Sequence, residues 1–125
     1  MIESYFLQIE QTIREFPNVR YLSLTKKIYN ASQGYINGSI IFENNHRLDF
    51  VEVKNTDTKP KIKYRYHYMN EAQTMIFRYD NAPHHVEIAT FPHHKHEVDD
   101  IKESLEPSLE QVLLEIAEKQ RNLKP

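Results

Sequence analysis

The sequence predicts an α+β fold: an N-terminal helix, an antiparallel β-meander of five to six strands, and a C-terminal helix, with both helices on one face of the sheet. Three observations predict it. Apolar residues recur at three- and four-residue steps at both ends of the chain. They alternate at two-residue steps through the middle. Short clusters of Asn, Ser, Gly and Pro punctuate that alternating region.

At the N-terminus Ile2, Tyr5, Phe6, Ile9, Ile13 and Phe16 fall on one helical face, and Pro17-Asn18 ends the helix. Val19 to Tyr29 then alternates as a strand, with Leu22, Leu24 and Ile28 on one side. A loop at Asn30 to Gly34 leads to a second strand, Tyr35 to Glu43. Asn44-Asn45 fits a two-residue hairpin turn, because Asn tolerates positive φ. Arg47 to Lys54 is a third strand, followed by a polar turn at Asn55 to Pro60.

Lys61 to Met69 alternates most regularly: Ile62, Tyr64, Tyr66 and Tyr68 share one face, and Lys61, Lys63, Arg65, His67 and Met69 the other. A turn at Asn70 to Gln73 leads into Thr74 to Asp80. A hairpin symmetric about that turn sets Tyr66 opposite Phe77, Tyr64 opposite Tyr79 and Tyr68 opposite Met75. It pairs Arg65 with Arg78, His67 with Ile76 and Lys63 with Asp80 on the other face. The chain then becomes irregular, through Asn81-Ala82-Pro83, a short run from Val86 to Phe91, Pro92 and the His-rich segment 93–96. Val98 to Glu106 reads as an acidic connector. Ser108 with Gln111 makes a capping box for the last helix, whose buried stripe is Leu109, Val112, Leu113, Ile116 and Ala117. Residues from Arg121 on are expected to fray.

With 125 residues the chain is expected to be a single domain, 1–125, with one core. It contains no cysteine, which removes disulfides and thiolate metal sites and suits a reducing cytosol. No apolar run is long enough to span a bilayer, and the first residues lack the pattern of a secretory signal, so no membrane partner and a cytoplasmic location are expected. A net charge of −2 gives no global nucleic-acid signature. The charges are segregated, however. Lys59, Lys61, Lys63, Arg65 and Arg78 share their stretch with one acid, Glu71, whereas the segment from Glu97 to Glu118 is acid-rich.

Six of the 7 histidines (His67, His84, His85, His93, His94, His96) crowd into residues 67–96. Histidine exchanges protons near neutral pH and is the commonest metal ligand. Any one of them reads most simply as lining a solvated loop; the group together points to function. The first functional reading is metal-free cleavage of RNA. That reaction needs a base for the 2′-hydroxyl, an acid for the departing 5′-oxygen and cations on the phosphate. Proton transfer is assigned to His67, His84, His85 and His96, with Arg78 and Asp80 completing the catalytic set. Substrate contacts are assigned to Lys63, Arg65, Tyr66, His93, His94 and Lys95, since Arg pairs with phosphate and tyrosine stacks on bases. The plainer reading makes Tyr64, Tyr66 and Tyr68 core and the lysines and arginines a solvated strand face.

A zinc site is the alternative. His94 and His96 point the same way in an extended segment, His84 or His85 adds a third nitrogen, and Asp80 or Glu87 offers a carboxylate. The set His84, His94, His96 matches no helical metal motif, and the expectation is no cofactor. Asp49, Glu52 and Lys54 echo the carboxylate–lysine set of magnesium nucleases, but the Asp-to-Glu gap is short and alternating charges on a half-exposed strand are common, so the set reads as a decoy.

The stretches Tyr64-Arg65-Tyr66-His67-Tyr68, Phe77-Arg78-Tyr79-Asp80-Asn81-Ala82-Pro83-His84-His85 and Thr90-Phe91-Pro92-His93-His94-Lys95-His96, with the closing Glu106-Pro107-Ser108-Leu109, resemble the TumE family. The resemblance implies the toxin half of a two-gene toxin–antitoxin pair, with a small DNA-binding antitoxin encoded by the adjacent gene as its partner. It implies an attack on RNA or translation. His67, Arg78, Asp80, His84, His85, His93, His94 and His96 fall on the family's motif, but no individual role carries over. A non-enzymatic module that grips nucleic acid or protein with the same surface is the competing reading, and the oligomer expected, if any, is a homodimer.

Overall fold

A computed structural model describes residues 1–122. The first helix, α1 (Ile2–Glu15), buries Ile2, Phe6, Ile9 and Ile13, and the chain turns at Asn18, which adopts the left-handed φ of 67° that Asn tolerates. Strands β1 (Val19–Ile28), β2 (Gln33–Phe42), β3 (Arg47–Asn55), β4 (Lys63–Met69), β5 (Met75–Asp80), β6 (His94–Glu97) and β7 (Asp100–Glu103) follow, and α2 (Leu109–Asn122) closes the chain. The seven strands form one antiparallel sheet in sequence order, β1 to β7. Both helices lie on one face, α1 over β2 and α2 over β4. The predicted class and layer order therefore hold, with seven strands where five to six were expected. No described helix is long and apolar enough to cross a membrane.

The core is the layer between helices and sheet. Ile36, Ile40, Leu48, Phe50, Tyr64, Tyr66, Tyr68 and Phe77 from the strands meet Phe6, Ile9, Ile13, Val112, Leu113 and Ile116 from the helices. Gly34 lets α1 come down onto β2: a Cβ there would stand 2.6 Å from the Lys27 carbonyl and 3.2 Å from Ile2 and Phe6. The Ser108–Gln111 capping box forms as expected, with the Gln111 amide donating to Ser108 Oγ at 3.1 Å and the Ser108 amide donating to Gln111 Oε1 at 2.9 Å. The helix continues through Arg121 to Asn122, and the rest of the segment expected to fray, 123–125, lies outside the described residues.

Four local expectations are corrected. First, the β4–β5 register is offset by two: Tyr68 opposes Phe77, Tyr66 opposes Tyr79, His67 opposes Arg78 and Arg65 opposes Asp80. The turn is tighter than the symmetric one. The Asn70 amide bonds the Thr74 carbonyl at 3.0 Å, Gln73 takes φ 63°, and Ile76 is an extra residue between the Met69–Met75 and Tyr68–Phe77 pairs. Beyond the bulge the slip of two keeps Phe77, Arg78, Tyr79 and Asp80 on their expected faces, whereas Met75 now pairs with Met69 and Ile76 packs against the core. Second, Lys61 and Ile62 exchange environments. Lys61 turns inward, donating to the Pro107 carbonyl at 2.8 Å, with its ammonium over the rings of Tyr64 and Tyr66, while Ile62 is 58% exposed. Third, the Asn44-Asn45 turn has three residues rather than two, closed by the Phe42 amide on the His46 carbonyl at 2.9 Å with Asn45 at φ 67°. Fourth, part of the acidic connector is β7, which pairs with the His-rich β6.

Candidate functional site

The face away from the helices carries the chemistry. The register places two rows of side chains across all seven strands on that face. One row runs Thr25, Asn37, Val51, Arg65, Asp80, His94 and Glu103. The next runs Ser23, Ser39, Asp49, His67, Arg78, His96 and Ile101. Two residues from each of β4, β5 and β6 thus form a patch of Arg65, His67, Arg78, Asp80, His94 and His96. Adjacent strands are about 4.8 Å apart, so such a patch is small enough for one ligand to touch several members.

A cleft of about 580 Å³ lies over this patch. Its floor is Arg65, Arg78, Asp80, His94 and His96, and the loop after β5 supplies a wall from Asn81 to His85. Asn81 pins that loop to the start of β4: its Oδ1 accepts from the Tyr64 amide at 3.0 Å and its Nδ2 donates to the Ile62 carbonyl at 3.2 Å. Thr90 ties the following turns to β6 and β7, donating to the His93 carbonyl at 2.7 Å and accepting from the Ser104 amide at 3.0 Å. These two tethers were not read from the sequence, where Asn81 and Thr90 are ordinary loop residues.

Asp80 is the centre of the floor and is 5% exposed. Its Oδ1 accepts from the Ala82 amide at 3.0 Å and lies 2.8 Å from His94 Nε2. Its Oδ2 accepts from Arg78 Nε at 3.0 Å and faces His96 Nε2 at 3.5 Å. His94 is 2% exposed, and its Nδ1 lies 2.8 Å from the Pro92 carbonyl. The His85 ring stands edge-on over the pair, 5.4 Å from the His94 ring and 5.7 Å from the His96 ring. His85 adopts φ 59°, a left-handed conformation uncommon outside glycine, and such strained backbone gathers at functional sites.

Burial holds His96 below the ordinary imidazole value; the Arg78 guanidinium adds to the effect and the Asp80 carboxylate opposes it. His67 is held low chiefly by burial and then by Arg78 and Arg65. Its Nε2 is buried without a hydrogen-bond partner among the described residues.

The expected site residues thus divide. Arg78, Asp80, His84, His85, His94 and His96 line the cleft, and so do Lys63 and Arg65. His67 shares the face but stands beside the cleft, between Asp49 and Arg78 in its row. Tyr66 and Lys95, expected among the substrate contacts, are on the other face. Tyr66 is fully buried and donates to Glu52 at 2.6 Å; Lys95 reaches Glu115 of α2 at 2.7 Å over the rings of Phe77 and Tyr79. Strand parity decides both: an even position on β4 faces the helices, and Lys95 opposes Tyr79. His93 also leaves the cleft, stacking on Tyr64 with Nδ1 2.9 Å from its hydroxyl.

The residues that could hold a metal are Asp80, His94 and His96, whose ligating atoms lie within 4.8 Å of one another. Asp80 takes the place expected for His84, which is on the exposed rim. Asp49 and Glu52 point to opposite faces. Asp49 binds Arg47 at 2.6 Å and Ser39 at 2.7 Å, while Glu52 accepts from the hydroxyls of Tyr5 and Tyr66. On opposite faces of β3, the two carboxylates do not converge on a common point.

A family model described as Toxin TumE matches residues 9–121, nearly the whole chain. No curated protein and no solved structure matches. The chain belongs to the TumE toxin family.

Proposed function

We propose that this TumE-family protein, the toxin component of a toxin–antitoxin pair, acts as a ribonuclease in the cleft above Asp80 and needs no metal for the cleavage step. The observation that supports the reading is the convergence of two arginines and four histidines, from three separate segments, on one cleft of an uncovered sheet face. Arg65 and Lys63 offer exposed cations to the phosphate. Asp80 fixes Arg78 and His94 in place. The imidazoles of His85 and His96, 5.7 Å apart, can each reach an oxygen of one phosphodiester, one taking the 2′-hydroxyl proton and the other giving a proton to the 5′-oxygen. The 2′-oxygen bonds to phosphorus as the P–O5′ bond breaks, leaving a 2′,3′-cyclic phosphate and a free 5′-hydroxyl. The antitoxin that relieves toxicity is, on this reading, a DNA-binding protein encoded by the adjacent gene.

Induced expression with and without the antitoxin tests the reading. Wild-type protein is expected to arrest growth and to yield RNA fragments with cyclic phosphate ends. His85→Ala and His96→Ala are expected to abolish both while the protein remains folded. Arrest with intact RNA overturns the ribonuclease assignment and leaves a binding toxin.

A further inference from the structure

We propose that Asp80, His94 and His96 form a binding site for one divalent transition-metal ion of the zinc class. The inference stands on ligand geometry and does not rest on the ribonuclease reading, although both use the same cleft.

The first argument is the environment of His94. Its Nδ1 faces the Pro92 carbonyl at 2.8 Å and its Nε2 faces the Asp80 carboxylate at 2.8 Å, and the ring is 2% exposed. Both partners only accept. A single ring N–H cannot serve both acceptors, so a neutral imidazole turns one lone pair toward an oxygen, and a shared cation would relieve that contact. A backbone carbonyl on the far nitrogen is the usual outer contact of a metal-bound histidine, because it fixes the tautomer that leaves the other lone pair free.

The second argument is the spacing. Ligands at about 2.0–2.1 Å from a tetrahedral ion have donor atoms about 3.3 Å apart. The Asp80 oxygens lie 2.8 Å from His94 Nε2 and 3.5 Å from His96 Nε2, on either side of that value. The backbone sets these positions. His94 and His96 are two apart on β6 and share a face, and Asp80 opposes His94 across the β5–β6 ladder. The fourth position opens to the cleft beneath the His85 ring. Two imidazoles and one carboxylate select zinc, cobalt or nickel over magnesium or calcium. Arg78, 3.0 Å from Asp80 Oδ2, opposes the ion electrostatically.

The test uses untagged full-length protein stripped by chelator, titrated with Co²⁺ followed by visible absorption and with Zn²⁺ followed by calorimetry. One ion per chain is expected, with the strong absorption of a four- or five-coordinate cobalt. His96→Ala is expected to weaken binding at least tenfold, His84→Ala and His93→Ala to leave it unchanged, and Arg78→Gln to tighten it. Because His94 is buried, His94→Ala is read only if circular dichroism shows a folded protein; His96→Ala, nearer the surface, keeps the test decisive. No saturable binding by the wild type overturns the proposal. So does binding that survives His96→Ala or is lost in His84→Ala, since that places the ion on the surface histidines. Cleavage assayed in chelator reports on the ribonuclease reading separately, so the two fail independently.

Discussion

Arg65 and Asp80 stand opposite each other in the β4–β5 ladder, yet the Asp80 carboxylate is held by Arg78 and His94 instead. Among the described residues Arg65 forms no ion pair, so its guanidinium is an exposed cation on the cleft floor beside the Arg78–Asp80 ion pair.

Arg65→Ala should therefore cost little stability, within about 0.5 kcal/mol, as for exposed positions in general. It should weaken RNA binding and lower the salt dependence of that binding by about 0.7 in the log–log slope, the value for one phosphate contact to a single strand. Fluorescence titration of a short RNA over a salt series measures both. An unchanged slope removes Arg65 from the phosphate site.

Asp80→Asn should be far more costly. The amide keeps the shape but leaves Arg78 and two imidazoles gathered around no negative charge. Removing one partner of a buried pair costs about 3 kcal/mol. Urea denaturation should show that loss, and toxicity should vanish in the same variant. Equal stability of the two proteins would mean that the cluster is not held by the carboxylate.

Much of this layout was legible in the sequence, and the failures have identifiable causes. The helices and β1 to β5 are written in apolar periodicity, because each buries one face. The His-rich segment is not: β6 and β7 are four-residue strands whose side chains, Ile101 apart, are polar on both faces, so no alternation marks them. The site was legible as a composition, a crowd of histidines and arginines, but its wiring was not. Arg78 was expected opposite Arg65; the tighter turn and the bulge at Ile76 together moved Asp80 there instead. Tyr66 and Lys95 were assigned to the substrate by residue type, although parity places both under the helices. For Tyr66 that parity was visible in the sequence; for Lys95 it required knowing that β6 exists.

Glu52→Gln probes the buried polar knot beneath α1. Glu52 is fully buried and accepts from the hydroxyls of Tyr5 and Tyr66. Burial, reinforced by the Glu52 charge, holds both phenols well above the ordinary tyrosine value, so both remain donors. An amide offers one acceptor oxygen, and its NH₂ meets the second hydroxyl as a donor. Losing one hydrogen bond to a charged group costs about 2 kcal/mol. Thermal unfolding should record that loss while growth arrest persists, because Glu52 is on the face away from the cleft. Loss of arrest in a folded Glu52→Gln protein would tie the knot to function.

Acid should destabilise the protein from about pH 6.5 downward, the ordinary imidazole value. Burial lowers His46 and His67; Arg78 and Arg65 push His67 further, and Glu71 partly offsets His46. Each folded-state value is depressed, so the unfolded chain binds more protons as pH falls. The stabilisation is complete above the unfolded value and is lost between that value and the folded one. Chemical denaturation at several pH values should show stability declining between pH 7 and 5, and His67→Gln should flatten the decline. Constant stability across that window, or a slope untouched by His67→Gln, contradicts the assignment.

Metal addition, but not metal removal, should change the rate of cleavage. If His85 and His96 carry the protons, a chelator leaves the rate of the purified toxin unchanged. A zinc ion on Asp80, His94 and His96 occupies Nε2 of His96, the nitrogen that faces Asp80. One equivalent of zinc should then slow cleavage at least tenfold, since a positioned acid or base contributes about 10²–10⁴-fold. The inhibition should vanish in Asp80→Glu only if the longer carboxylate displaces the ion, which the cobalt spectrum reports directly. Cleavage abolished by chelator and restored by zinc would reverse the order of roles: the ion would be the catalyst, with a bound water attacking phosphorus, and the fragments would end in 5′-phosphates or 3′-phosphates instead of cyclic ones.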